Sequence, residues 1–215
     1  TYNVGVEPRG VTLADFNGDQ LYDIAVACND DRRVDVLFNT GGGAFAAPSS
    51  LSVGPDVRPD DVTAADLDRD GDVDIAAASS GTALNVAAVF LNTGAGAFGP
   101  AVGYPVGGTN PGGIVAADLD VDGLPDLATA NQDSADLSAL RGLGAGAFAI
   151  DVITAVGTTP EFVASHDLDG NGSLDLVTVN RDSNTVSVLL NQNTAVIFGD
   201  DFESGTTLAW SDATP

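Results

Sequence analysis

Apolar and polar residues alternate in short runs along most of the chain, with Gly, Asn, Asp or Pro at the breaks, a period-2 pattern that predicts β-strands and little helix. The first of these stretches divides into four strand candidates, at 10–16, 21–28, 33–39 and 44–54. The punctuation then repeats: GGGAF, GAGAF and GAGAF begin at residues 41, 94 and 144 and mark the turn before the fourth run of each unit. Four runs joined by tight turns predict one four-stranded antiparallel sheet per unit.

An acidic segment sets the period. Asp15, Asp66, Asp118 and Asp167 open DFNGDQLYDIAVACN, DLDRDGDVDIAAASS, DLDVDGLPDLATANQ and DLDGNGSLDLVTVNR, spaced by 51, 52 and 49 residues. Self-similarity at that period marks one supersecondary unit per repeat. Sheets repeated radially protect their edges, so the expectation is an all-β, β-propeller-like array of four four-stranded antiparallel blades. The repeats run over 6–54, 55–107, 108–157 and 158–192 within a domain of residues 1–192, followed by a tail over 193–215. Tyr2-Asn3-Val4-Gly5 matches Tyr104-Pro105-Val106-Gly107 and Thr154-Ala155-Val156-Gly157, so the chain opens on the end of a fourth strand. The fourth repeat supplies three strands and lacks the GAGAF segment. Its last strand is expected from a terminus: residues 1–5 of the same chain, residues 1–5 of a neighbouring chain, or residues 195–198.

The second acidic loop places Asp66, Asp68, Asp70 and Asp74 at positions 1, 3, 5 and 9, with Gly71 at position 6 for the sharp turn and Asp72 offering its carbonyl at position 7. Alternate side chains converge when the backbone winds tightly, and a shell of hard oxygens suits Ca²⁺ better than Mg²⁺; without His or Cys beside it, Zn²⁺ is disfavoured. The equivalent ligands are Asp118, Asp120, Asp122, Leu124 and Asp126 in the third loop. They are Asp15, Asn17, Asp19, Leu21 and Asp23 in the first, and Asp167, Asp169, Asn171, Ser173 and Asp175 in the fourth, with Leu21, Leu124 and Ser173 contributing carbonyls. Without a cation, each loop would crowd several carboxylates together. Up to four calcium ions are therefore expected. Gln20 stands where the other loops have Gly71, Gly123 and Gly172, which predicts a strained first turn. Asn17 and Asn171 each remove a formal charge, so the two middle loops are expected to bind most tightly. An EF-hand needs an acidic residue at position 12 and helical flanks; position 12 here is Val26, Ala77, Thr129 or Thr178.

These DxDxDGxxD loops, the (I/L)AxA strands after them, and segments such as Ala97-Phe98-Gly99-Pro100 resemble the FG-GAP repeat family, also called VCBS-type repeats, over residues 1 to 192. The resemblance implies a β-propeller with calcium between the first and second strands of each blade, and roles in adhesion and ligand display. Family propellers often have seven blades, so four leave open a small ring, part of a larger one, or an assembly completed by other subunits. The tail, FGDDFESGTTLAWS, resembles the FxDGFESGxxxxWS tail of bacterial secreted proteins.

Composition narrows the function classes. The 215 residues carry 31 Asp+Glu against 7 basic side chains, all Arg, for a net charge of −24, which disfavours nucleic acid and anionic membranes as partners. Disordered acidic chains are poor in apolar residues, whereas 44% of this chain is hydrophobic. No apolar run approaches the ~20 residues of a membrane span. The single Cys28 has no internal disulfide partner, and the absence of Met predicts a processed or truncated product of a longer precursor. No nucleophile motif accompanies the single His166, which stands where Ala14, Ala65 and Ala117 stand in the other repeats, so a non-enzymatic protein is expected. The leading expectation is an extracellular or cell-surface calcium-binding structural or adhesion protein that self-assembles into an oligomer or filament through its termini. The alternatives are a lectin-like head for a protein or glycan ligand, or an accessory domain of a secreted enzyme.

Overall fold

The computed structural model describes residues 1–82, 84–192 and 210–212, of which Asp151 and the last three are described by backbone alone. Among them there is no helix. In the first repeat, β1 (Pro8–Ala14), β2 (Asp23–Cys28) and β3 (Arg33–Leu37) pair in order; a small hairpin, β4 (Asn39–Gly41) with β5 (Ala44–Phe45), intervenes before β6 (Ser49–Ser52) completes the sheet. The second sheet holds β7 (Val57–Ala65), β8 (Asp74–Gly81), β9 (Val86–Phe90) and β10 (Val102–Pro105). The third holds β11 (Pro111–Ala117), β12 (Asp126–Asn131), β13 (Asp136–Gly144) and β14 (Ala147–Ala155). The fourth holds β15 (Pro160–His166), β16 (Asp175–Asn180), β17 (Thr185–Asn191) and β18 (Trp210–Asp212). All pairings are antiparallel.

Each first strand carries a Pro followed by a register shift: Pro8, Pro111 and Pro160 open their strands, and Pro59 lies within β7. A bulge is where a sheet tolerates a residue with no N–H. The GAGAF turn joins β13 directly to β14 in the third repeat, as the punctuation predicts. In the first repeat the same residues form the small hairpin, and the fourth strand starts later, at Ser49 rather than at residue 44.

The missing fourth strand comes from the tail. Trp210, Ser211 and Asp212 pair with Asn191, Leu190 and Leu189. This is the register in which Phe148, Ala149 and Ile150 pair with Gly142, Arg141 and Leu140 one repeat earlier. Residues 1–5 instead lie on the first sheet: the Gly5 N–H donates to Asp35 Oδ2 at 2.8 Å, and Tyr2 meets Phe45 edge-on at 5.4 Å. Residues 195–198, the other candidate, lie outside the described residues.

The sheets stack face to face in chain order, and the first strands β1, β7, β11 and β15 pack side by side from one sheet to the next. Three core layers result. The first sheet offers Ala25, Ala27, Val34 and Val36 to Val62, Ile75, Ala88 and Phe90 of the second. Ala76, Ala78 and Val89 then meet Ile114, Leu127 and Leu140, and Ala128, Ala130 and Leu137 meet Leu176 and Leu189. Alternation along each strand sends one set of side chains to the preceding sheet and the other to the following one, so both faces of the middle sheets are apolar. Burying each Leu, Ile or Phe contributes about 2 kcal/mol, and the many alanines let neighbouring sheets approach closely. Among the described residues, no core cluster joins the fourth sheet back to the first.

Candidate metal centres

Each acidic loop connects the first strand of a sheet to the second, and its own side chains wind it. Position 1 reaches forward to backbone N–H groups: Asp15 Oδ2 accepts from Gln20 at 2.7 Å, Asp66 Oδ2 from Gly71 at 3.1 Å, and Asp118 and Asp167 from Gly123 and Gly172 at 3.0 Å. Positions 3 and 5 each accept from the N–H two residues on; Asp68 takes the Asp70 N–H at 3.1 Å and Asp70 the Asp72 N–H at 2.9 Å. These side-chain-closed turns leave carboxylate oxygens converging on one point. In Asp66, Asp68 and Asp70, and again in Asp118, Asp120 and Asp122, one oxygen per residue lies within 4.8 Å of the others. In the fourth loop the trio is Asp167, Asp169 and Asp175. The carboxylates of the first loop form no such trio, and Asn17 stands between Asp15 and Asp19 with its amide N–H donating to Asp19 at 3.1 Å.

The ninth-position aspartates do something the spacing does not reveal. Asp23, Asp74, Asp126 and Asp175 are fully buried, and both oxygens of each accept backbone N–H groups. One oxygen takes the N–H of position 2, from Phe16, Leu67, Leu119 or Leu168, at 2.7 to 2.9 Å. The other takes an N–H near the end of the third strand, within it or up to two residues beyond, from Asn39, Asn92, Gly142 or Asn191, at 2.7 or 2.8 Å. They tie each loop to its own sheet. Burial pushes Asp74 up to about 6 and Asp126 up to about 7; backbone donors oppose this, and the neighbouring loop carboxylates add to it. Burial likewise raises Asp68 and Asp120.

Backbone strain is distributed unequally. Gln20 adopts φ 68°, so the first loop does hold a side chain in the left-handed region at position 6. The middle loops carry an equal burden at position 4, where Arg69 has φ 65° and the β-branched Val121 has φ 62°. Only the fourth loop has glycine at both places, Gly170 at 76° and Gly172 at 91°. A non-glycine residue there costs about 1–2 kcal/mol, so charge favours the middle loops and backbone ease favours the fourth.

The donor set fits a hard cation: each of the three trios offers carboxylate oxygens, and in the third loop Asp118 Oδ1 is buried without a hydrogen-bond partner. A buried carboxylate oxygen without a donor, in a loop that gathers two further carboxylates, is costly unless a cation compensates it.

The loops are also wired to each other by residues that motif reading missed. Asn92 Nδ2 donates across the sheet junction to the Phe16 carbonyl in the first loop at 2.8 Å, and Asn191 Nδ2 donates to the Leu119 carbonyl in the third at 2.8 Å. The recurring Asn in FNTG, LNTG and LNQN, after the third apolar run in three of the four repeats, was the available signal. His166 is exposed at the end of β15. The Cys28 thiol is buried 3.7 Å from Asp35, and burial foremost pushes it up to about 11.

A family model described as the FG-GAP-like repeat matches residues 15–77, 68–129 and 118–178. No curated protein matches the chain by sequence. Among solved structures the chain is similar to BBS1N, crystallised in complex with ARL6DN and soaked with lead, at 15% identity and a TM-score of 0.57, covering 86% of this chain and 54% of that one. It is also similar to the V. cholerae biofilm matrix protein Bap1, at 18% identity and a TM-score of 0.50, covering 84% of this chain and 26% of that one. At such identities the likeness is one of fold. The chain spans about half the length of the first of these structures and a quarter of the second.

Proposed function

The chain belongs to the FG-GAP-like repeat family, and from that premise we propose that it is an extracellular, calcium-braced β-repeat protein with a structural or adhesive role. The observation that carries the reading is the convergence of three carboxylates in each of three loops, with the buried Asp118 Oδ1 left without a donor. Positions 1, 3 and 5, with the carbonyls of Leu21, Asp72, Leu124 and Ser173 and the ninth-position aspartates, are the proposed ligands. Four ions would offset eight of the 24 net negative charges. Calcium would neutralise each loop, fix the turn between first and second strands, and add its binding free energy to folding.

The four sheets are read as propeller-like blades of a domain over residues 1–192, the tail contributing the last strand. A role outside the cell is supported by the family, and a role in a matrix by the likeness to a biofilm matrix protein, which is a likeness of fold. No helix among the described residues is long and apolar enough to cross a membrane. No catalytic activity is proposed. Ligand display on the loop-bearing ends of the sheets is the second reading, favoured by the shared placement of all four loops between first and second strands.

Thermal unfolding with calcium and with excess EDTA tests the brace. Saturating calcium at a hundredfold excess over Kd adds about 2.7 kcal/mol per site. A melting temperature raised by many degrees with calcium is expected, and an identical melt in both conditions would remove the mechanism.

A further inference from the structure

We propose that the two outer faces of the sheet stack form a matched pair of docking surfaces, through which a second copy of this chain sets its first sheet against the fourth sheet of the one before it. This deepens the structural reading above by naming the partner, and it rests on that reading only in taking the chain to be a structural subunit.

The three junctions inside the chain define what such an interface looks like. Val62 and Ile114, which face the preceding sheet, are each 4% exposed. Val11 occupies the same register in β1, opposite Val26 as Val62 is opposite Ala77, and it is 60% exposed, with Leu13 beside it at 59%. On the other end of the stack, Val179 and Val186 repeat the positions of Ala130 and Leu137, which are buried under the fourth sheet. Both are exposed, and Phe162 next to them is 59% exposed.

The two faces match in shape. The innermost position of the first strand reads Gly10, Asp61, Gly113, Phe162, small alternating with large. A Cβ on Gly10 would lie 2.5 Å from Asp61 Cα, and one on Gly113 would lie 2.8 Å from Phe162 Cα. Where the large residue comes first, Asp61 reaches over and accepts the Ile114 N–H beside Gly113 at 3.2 Å. Phe162 followed by Gly10 of a second copy continues the alternation. The glycine turns repeat the point. Gly96 sits against the Phe38 ring of the preceding sheet and Gly146 against Leu91, where an added Cβ would come within 2.5 and 2.6 Å. A Cβ on Gly43, the equivalent in the first sheet, would meet nothing within 4 Å, and Leu190 holds the position of Phe38 and Leu91 in the fourth.

They match in charge and in strand register as well. Arg9 pairs across the first junction with Asp60. The fourth sheet presents Glu161, itself paired with Arg181, at the corresponding position beside a depression of about 450 Å³ that Val186 also borders, so docking would bring the Glu161–Arg181 pair against Arg9 of the second copy, which holds Glu7 and Asp60, and set opposite charges side by side. β18 pairs only with Leu189–Asn191, and among the described residues no strand pairs with the outer edge of Thr185–Val188. Tyr2 binds the first sheet as Tyr104 binds the third: its hydroxyl donates to Gly43 O at 3.3 Å as Tyr104 does to Gly146 O at 2.9 Å, and each ring lies 5.4 Å from its Phe. Tyr104 pairs with Ala87 while in that position, so Thr1, Tyr2 and Asn3 of a docked copy arrive opposite Ser187, Val186 and Thr185. Such a contact is head-to-tail, and it propagates into a filament or closes a ring of copies.

The test uses two variants of the full chain, Leu13→Asp, which spoils the leading face, and Phe162→Asp with Val186→Asp, which spoils the trailing face. Sedimentation at high micromolar concentration in calcium should show wild type as dimers or larger, each variant as a monomer, and their equimolar mixture as a 1:1 dimer joined by the two intact faces. Circular dichroism confirms that the variants are folded; a variant that is not is replaced by Val11→Ser or Val186→Ser, which should weaken association at least tenfold. A monomeric wild type, whether its faces stay open or close on each other within one copy, overturns the proposal, as does a mixture that stays monomeric while wild type associates. The calcium melt reads separately: loss of the EDTA effect with association intact removes only the metal reading.

Discussion

The Asn92 N–H donates to Asp74 Oδ1 at 2.7 Å, and from that anchor the Asn92 side chain reaches the Phe16 carbonyl 76 residues earlier in the chain. One residue therefore joins the loop of its own sheet to the loop of the sheet before it. Asn191 makes the same pair of contacts, to Asp175 and to Leu119. Asn39 shares the local half of the arrangement, but its side chain ends on Tyr22 O within its own repeat.

Replacing Asn92 or Asn191 with Ala leaves a buried carbonyl without a donor, so each should destabilise the protein by about 1–3 kcal/mol. Asn39→Ala removes an exposed bond to the Tyr22 carbonyl and a partly buried one from the Gly41 N–H, but none that crosses to another sheet, and should cost about 1 kcal/mol or less. Denaturant melts of the three variants check the order; equal losses at all three positions would show that the cross-sheet bonds carry no weight.

Strain in the loops predicts stabilising substitutions. Val121→Gly should gain about 1 kcal/mol in the metal-free protein, because a β-branched side chain is released from φ 62°. Gln20→Gly should gain a similar or smaller amount, part of it offset by the greater freedom of glycine in the unfolded chain. The measurement is the urea midpoint in EDTA, and calcium titration of the same variants should show their loops binding no more weakly than wild type. A lower midpoint for Val121→Gly would mean that its side chain contributes more than the backbone costs.

Cys28 predicts a pH dependence. Its thiol is pushed from an ordinary 9.0 up to about 11 in the folded state, by burial first and by the Asp35 carboxylate second. The folded protein therefore holds the proton more tightly than the unfolded chain, and the stability this lends is present below pH 9 and falls as pH rises from about 9 to 11. Cys28→Ala should flatten that segment of the stability curve relative to wild type. At pH 8 the native thiol should resist iodoacetamide and react once urea unfolds the chain; alkylation of the native protein at the rate of a free thiol would contradict the burial.

Much of the architecture was legible because it is local. Alternation fixes which side chains share a strand face, and the acidic loops are wound by bonds spanning two to five residues, such as Asp66 to Gly71 and Asp70 to Asp72, so a nine-residue window contains nearly all of their geometry. The strain at Gln20 could be expected for the same reason: a glycine is missing where three other loops have one. Val121 was not read as strained, because only the comparison of position 4 with Gly18 and Gly170 in the folded loops shows that this turn is left-handed there too.

What the tertiary structure alone decided depends on surfaces and edges that one repeat does not contain. Two termini were candidates for the last strand; hydrogen-bond register gave the edge at Leu189–Asn191 to Trp210–Asp212, and the fit of Tyr2 against Phe45 held residues 1–5 on the first sheet. The ninth-position aspartates are backbone anchors because stacking buries them completely, and burial obliges both oxygens to find N–H donors, one of them from a strand sixteen or eighteen residues away. The exposure of Val11 and Phe162 likewise follows from their place at the two ends of the stack: the equivalents of Val11 in the middle sheets, Val62 and Ile114, lie in the same sequence pattern and are covered because a sheet precedes them.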